Sequence, residues 1–390
     1  MTHTDAEILL PPSKSIAQRL LMVRALLHQP APPKDTSLSA DIQTLQRALW
    51  SHTHELDAGD SGTALRLLTA WCSRQSGTWH IKGSPRLLSR PMLPLINALK
   101  QLNGRIEYAP GRPITIYGGT LYGSNCTLNC TESSQHATAL MLIAPTLPHG
   151  LRIQLIGTPV SMPYLLLTQN IMQQCGAQCY LSHHSIDIPA QPYSTINLPI
   201  EADWSAASYF YELLAAKGSG TLTLCGLQAN SLQGDRRIAT LCEPFGITTH
   251  FVGNNVIISK NAPTTIKELR ENCTDTPDLV PALAAMCCAT NVPFCLTGCA
   301  SLRHKESDRL SALSEALGTC GYNVQTTPDT LLWNGKQHDI SQPIRIHTHN
   351  DHRIAMALVP LTVKHDLQID NAAVVNKSFP DFFGQIRKAL

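Results

Sequence analysis

The sequence predicts an α/β protein of two similar halves, built from one repeated helix-plus-hairpin unit. Three observations lead there: a layout that recurs four times, helical stretches of small residues between the recurrences, and no low-complexity linker. The recurring stretches are "RPMLPLINALKQLNGRIEYAPGRPITIYG", "MPYLLLTQNIMQQCGAQCYLSHHSIDIPA", "GDRRIATLCEPFGITTHFVGNNVIISK" and "SDRLSALSEALGTCGYNVQTTPDTLLWNG". Each opens with apolar residues at helical period. Each then has a glycine (Gly104, Gly176, Gly246, Gly321) where a helix would end in a left-handed cap. Two short β-like runs joined by turn residues follow. The glycines recur roughly every 70 residues, too regularly for chance and too far apart for a solenoid. "ADIQTLQRALW" and "DHRIAMALVPL" are further helical starts that would complete six units. Between the units lie "SGTALRLLTAWC", "SSQHATALMLIAP", "DWSAASYFYELLAA" and "TPDLVPALAAMCC", whose small and apolar residues suit helices packed closely inside a layered domain. Without a linker, a pair of short crossings is expected to join the halves.

At 390 residues the chain has material for two cores. Its net charge of +2 makes no bulk electrostatic case for nucleic acid. The start, "MTHTDAEILLPPSKS", lacks a signal-peptide layout. The run nearest to a membrane span, "TALMLIAPTL", falls far short of the about 18 residues one needs, so a cytoplasmic protein is expected. The thirteen cysteines, several in runs such as "ALAAMCCA", read as buried, reduced thiols. Cys126/Cys130 and Cys175/Cys179, the latter followed by His183 and His184, are spaced more widely than zinc ligands usually are. They do not supply four clear ligands, so no metal site is expected.

Five stretches carry chemistry. In "PPSKSIAQR", Ser13 or Ser15 can cap a helix beginning at Ile16, leaving Lys14 and Ser15 at its N-terminus with Arg19 one turn on. A plain capped helix and an anion site both fit that pattern. "DAGDSGTALR" repeats it, with Gly59 and Gly62 permitting close backbone approach and Thr63 opening a helix, though not with P-loop spacing. "ESSQHATAL" offers Ser133, Ser134 and Gln135, and "NDHRIAMA" offers Asp351, His352 and Arg353, each at a helix start. "SLRHKESDRL" concentrates Arg303, Lys305, Glu306, Asp308 and Arg309 in a sparingly charged chain, and taken alone reads as a solvated helix face. Together these are several helix N-termini bearing hydroxyls, amides and cations. Such ends suit a cleft for a small substrate with more than one anionic group. Proton transfers there need carboxylates beside the cations.

From "PPSKSIAQR" through "GTALR", "RPM", "SSQ", "GDRR", "KESDR" and "NDHRIAMA" to the closing "NKSFPDFF", the motifs and their order resemble the enolpyruvyl transferase family over nearly the whole chain. The resemblance implies two domains, 13–200 and 201–390 together with 1–12. Each would hold three βαβαββ units in an inside-out α/β barrel, with the active site in the cleft between them. It implies that the 5-hydroxyl of shikimate 3-phosphate adds to C2 of phosphoenolpyruvate while C3 takes a proton. The tetrahedral adduct then loses phosphate, a step of chorismate and aromatic amino acid biosynthesis that uses no metal or organic cofactor. The expected partners are these two substrates, with no nucleic acid and no membrane, and the chain is expected to be a monomer.

Carried over by position, Ser15, Arg19, Ser133, Ser134, Gln135, Ser161, Tyr164, Asp278 and Lys305 are similar to shikimate 3-phosphate contacts. Lys14, Gly62, Arg90, Arg309, Arg353 and Lys377 are similar to the phosphoenolpyruvate set, with Gln135 touching both. Asp278 matches the base for the 5-hydroxyl; Glu306 and Lys14 match groups that move protons at C3. Arg303 and Asp308 are left for structural ion pairs. The chain departs from the family pattern at Asp60 and Ser61 (usually Asn-Ala), at Ala17 and Gln18 (usually Ser-Asn) and at Ser301 (often Asn). It also departs at "SAD", which keeps only Asp41 of an Asp-Asp pair. Asp60 is expected to pair with a cation such as Arg66, because an uncompensated carboxylate there would repel phosphoenolpyruvate. The sister activity on UDP-N-acetylglucosamine would need a nucleotide-sugar site and a reactive loop cysteine; the serine-rich motif and "SSQ" favour shikimate 3-phosphate. A retired, anion-binding member of the fold is disfavoured by the retained Lys14, Asp278, Glu306 and Arg353.

Overall fold

The computed structural model describes residues 6–194, 198–340 and 343–390. The chain forms two compact units. One comprises Lys14–Thr36 and Ala40–Ile200; the other comprises the described part of Met1–Ser13, Ser37–Ser39 and Glu201–Leu390.

The Lys14–Ile200 unit contains two four-stranded sheets of identical topology. In the first, Glu55–Asp57 pairs parallel with Gly77–Lys82, which pairs antiparallel with Ile114–Gly118, which pairs antiparallel with Arg105–Glu107. In the second, Asn125–Asn129, Leu151–Ile156, Ser185–Ile188 and Tyr180–Leu181 follow the same order. The parallel step needs a crossover, and Gly62–Ser73 and Ser134–Ile143 supply it. Both helices are buried on nearly every face, which explains their small, apolar composition. Leu151–Ile156 instead alternates buried and exposed residues, one face inward and one outward. Helices therefore fill the interior and sheets clothe it.

The second unit repeats the plan. Ala6–Leu9, Gly220–Cys225, Asn255–Lys260 and Ile247–Val252 form one sheet; Leu269–Asn272, Phe294–Thr297, Leu331–Trp333 and Gln325–Thr326 form the next. Trp204–Lys217 and Val280–Ala289 are its buried helices. The first strand comes from the start of the chain, so the backbone leaves this unit at Ser13 and, apart from Ser37–Ser39, stays out of it until Glu201. The two crossings lie side by side: Ser13 N donates to the Glu201 carbonyl at 2.8 Å and Asp203 N to the Pro11 carbonyl at 2.9 Å. One hydrophobic core runs from Ile8 to Ala389.

The two less distinct repeats are abbreviated. Around His352–Leu358 the described residues hold a two-stranded parallel pair, Ile344–Ile346 with Leu367–Ile369. No strand separates Lys14–Leu26 from Ala40–Leu49 among the described residues.

Three local expectations are corrected. The first helix begins at Lys14, not Ile16, because the extended run ends at Ser13, whose hydroxyl donates to Gln233 Oε1 at 2.9 Å. The "GTALR" helix begins at Gly62, not Thr63, because Ser61 is the cap and its hydroxyl accepts Ala64 N at 3.3 Å. Gly176, Gly246 and Gly321 adopt the left-handed conformation, but in the first repeat Asn103 does so, at φ 66°, in place of Gly104. Gly104 is still needed, since a Cβ there would stand 2.8 Å from the Leu99 carbonyl oxygen. Every cysteine is free, and all but Cys225 and Cys295 are buried. No helix among the described residues is long and apolar enough to cross a membrane.

Candidate active site

The sequence-predicted residues fall into two sets, one per unit. In the Lys14–Ile200 unit, Arg19 is the anchor. Its Nε donates to Thr168 Oγ1 at 2.8 Å, Nη1 to the Ser15 carbonyl at 2.7 Å, and Nη2 to the Tyr164 carbonyl at 3.1 Å and Thr138 Oγ1 at 3.3 Å. Burial lowers its pKa to about 10, still a cation at neutral pH. Three predicted positions, Ser15, Arg19 and Tyr164, are thereby brought together. Ser161, buried and left-handed at φ 56°, starts the Met162–Gln174 helix that carries Tyr164.

Lys14, at the first helix N-terminus, pairs with Asp41 at 2.9 Å. Gln18 ties the same corner together, donating to the Asp41 carbonyl at 3.2 Å and to Ser61 Oγ at 3.4 Å. The departures at Gln18 and Ser61 therefore contact one another. Ser133 caps the Ser134–Ile143 helix by accepting Gln135 N at 3.2 Å, leaving Ser134 and Gln135 in its first turn. Arg66, also buried, donates to Gln135 Oε1 at 3.1 Å, the Gly62 carbonyl at 2.8 Å and the Pro91 carbonyl at 3.1 Å, whereas Asp60 is exposed. Arg90 packs on Gly62 so closely that any Cβ there would collide with its guanidinium. The glycine permits that contact; its backbone conformation does not require it. Arg90 is 8% exposed and its Nε has no hydrogen-bond partner among the described residues. A buried guanidinium with a donor to spare is suited to hold an anion.

In the other unit, Asp308 caps the Arg309–Thr319 helix and pairs with Arg303 at 2.8 Å. "SLRHKESDRL" is thus a short 3-10 turn, Ala300–His304, leading to a capped helix, and not one solvated helix face. Arg309 is 1% exposed. Its guanidinium meets Asp351 (Nε 2.9 Å, Nη2 3.1 Å), Glu306 (2.7 Å) and Asp278 (3.2 Å). Burial alone would lower its pKa; Asp351, Glu306 and Asp278 outweigh burial and raise it. Arg353 Nη2 holds the other Asp278 oxygen at 2.7 Å, and Lys377 stands 3.9 Å from Glu306. Asp278, Glu306, Arg309, Arg353 and Lys377 therefore form one cluster drawn from four places in the sequence. Lys305 is half-buried next to it in sequence.

Asp351 is the residue that sequence reasoning undervalued. It reads as a helix cap, and it is one, accepting Arg353 N at 3.0 Å. The same carboxylate also takes the Ser307 hydroxyl at 3.0 Å and orients Arg309 bidentately. The cluster balances Arg309, Arg353 and Lys377 against Asp278, Glu306 and Asp351, so an incoming anion competes with carboxylates for fixed cations. Arginines, carboxylates and helix N-termini in this arrangement can bind phosphorylated carboxylates and move protons.

Residues 43–386 match the family model described as EPSP synthase (3-phosphoshikimate 1-carboxyvinyltransferase). A relative from Bacteroides fragilis named 3-phosphoshikimate 1-carboxyvinyltransferase is 37% identical, over 100% of this chain and 96% of its own. One of the same name from Dehalococcoides mccartyi is 33% identical, over 97% and 94%. The EPSP synthase structure from Acinetobacter baumannii shares the fold, with a TM-score of 0.71 at 21% identity over 98% of this chain and 95% of that one. The chain belongs to the EPSP synthase (3-phosphoshikimate 1-carboxyvinyltransferase) family.

Proposed function

We propose that the two residue sets together carry the family's reaction. The chain transfers the enolpyruvyl group of phosphoenolpyruvate to the 5-hydroxyl of shikimate 3-phosphate and releases phosphate, a step of aromatic amino acid biosynthesis. Ser15, Arg19, Ser133, Ser134, Gln135, Ser161, Tyr164 and Lys305 bind shikimate 3-phosphate. Lys14, Gly62, Arg90, Arg309, Arg353 and Lys377 bind phosphoenolpyruvate. Asp278 takes the proton of the 5-hydroxyl as oxygen attacks C2. Glu306 and Lys14 serve C3, which gains a proton in the addition and loses one in the elimination.

One observation carries the reading: Asp278 is held by Arg309 and Arg353 at once. Phosphoenolpyruvate would draw both guanidiniums to its own oxygens. A carboxylate released from two cations accepts a proton more readily, so binding the second substrate would arm the base. The division into 13–200 and 201–390 with 1–12, and an active site served by both, belong to this proposal. So do a cytoplasmic location and a monomeric state, the latter tested by sedimentation. Phosphate release should require shikimate 3-phosphate and phosphoenolpyruvate together. Release with UDP-N-acetylglucosamine in place of the first would assign the chain to the sister activity instead.

A further inference from the structure

Asp235 lies in the 3-10 turn Gly234–Arg237 and is 2% exposed. One carboxylate oxygen accepts the Ser205 hydroxyl; the other, Oδ1, is buried with no hydrogen-bond partner among the described residues. Leaving a buried carboxylate oxygen bare is costly when the group is charged. The packing of the turn does not explain it. Its position relative to the reaction does.

Ser205 stands one turn before Tyr209 on the Trp204–Lys217 helix, so both face the same side. The Tyr209 hydroxyl accepts Arg353 Nη1 at 3.5 Å, and Arg353 Nη2 holds Asp278. One helix thus serves both acids: Ser205 in its first turn holds Asp235, and Tyr209 one turn on meets Arg353, which holds Asp278. The charges facing Asp235 are Asp278, Arg353 and, from the helix cap, Asp203. The cations of its own turn face elsewhere: Arg236 lies over the Phe251 ring, and Arg237 pairs with Glu271 at 2.7 Å.

We propose that Asp235 is a positioning residue that sets the charge beside the base Asp278: ionised, it strengthens Asp278 as a proton acceptor, and neutral, it leaves that base weaker. Like charges oppose joint ionisation, so a negative Asp235 favours the protonated product of the base's own step. Burial first, then the Asp278 charge, lift Asp235 from 3.8 to about 7, against Arg353 and the Ser205 hydrogen bond. Its charge therefore changes close to neutrality, where the enzyme's rate would respond.

The inference rests on Asp278 being the base. The test is the pH dependence of kcat in the full chain with both substrates, for wild type, Asp235→Asn and Ser205→Ala. Wild-type kcat should rise roughly three- to tenfold between about pH 6 and about pH 8 through an inflection near neutrality. Asp235→Asn should remove that inflection, bringing the ratio of the two rates close to one. Ser205→Ala should move it to higher pH, because the hydroxyl favours the charged carboxylate. An Asp235→Asn profile with the wild-type inflection overturns the inference. If that variant does not fold, an unshifted Ser205→Ala profile overturns it equally. Failure of the wild type to release phosphate would instead refute the functional reading.

Discussion

Glu212 sits in the middle of the Trp204–Lys217 helix, wholly buried, and neither carboxyl oxygen has a hydrogen-bond partner among the described residues. Its charge would bear on the Cys242 and Cys288 thiols, and burial governs its own titration. Burial pushes its pKa well above the ordinary 4.5, so the folded protein holds this proton to higher pH than the unfolded chain does. The sign follows from linkage. The native state binds more protons, so this contribution to stability is complete below about pH 4.5 and is lost progressively as pH rises toward the folded value. The loss builds up between the unfolded and the folded value, at no more than ~1.36 kcal/mol per pH unit. Glu212→Gln keeps the shape and removes the titration. Urea unfolding of both proteins across that range, following the transition of the unit that contains Trp204, reads the difference directly. The variant's stability relative to wild type should improve steadily from pH 5 to pH 7, by no more than ~1.36 kcal/mol per pH unit. A difference independent of pH, or one that moves toward Glu212, would show that the carboxylate is charged and compensated, and would refute the argument.

Asp278→Asn should lower kcat far more than it changes either KM, because a base acts in the transition state; equal losses in binding would misplace the role. Gly62→Ala should raise the KM for phosphoenolpyruvate, since the new methyl displaces the Arg90 guanidinium; an unchanged KM would remove Arg90 from that site. Asp60 is exposed, and Asp60→Asn should shift the same KM by less than about threefold. A tenfold drop would mean that the carboxylate repels substrate.

The repeat was legible because helix period, glycine and hairpin are local signals. The helix starts were legible for the same reason, to within two residues at Lys14 and one at Gly62. What stayed hidden depends on contacts across the chain. Asp41 reads as the remnant of a broken pair, yet it holds Lys14. Asp351 reads as a cap, yet it orients Arg309. Gly62 reads as a flexible turn residue, while the structure shows it needed for the closeness of Arg90. Asp235 stands in the "GDRR" motif and Glu212 in an apolar helix, yet neither pattern reports what surrounds one buried acidic residue. The abbreviated repeats were the indistinct ones in the sequence, where the hairpin signals themselves are weak.

The central claim is addition and elimination through a tetrahedral adduct whose methyl group carries a solvent proton. The most direct measurement is mass spectrometry of the product formed in D2O from shikimate 3-phosphate and phosphoenolpyruvate. The account predicts phosphate released in equal amount with the product, and deuterium in the enolpyruvyl methylene of that product. Product formed with phosphate release but without any deuterium at that carbon would mean direct displacement at C2, and would contradict the account.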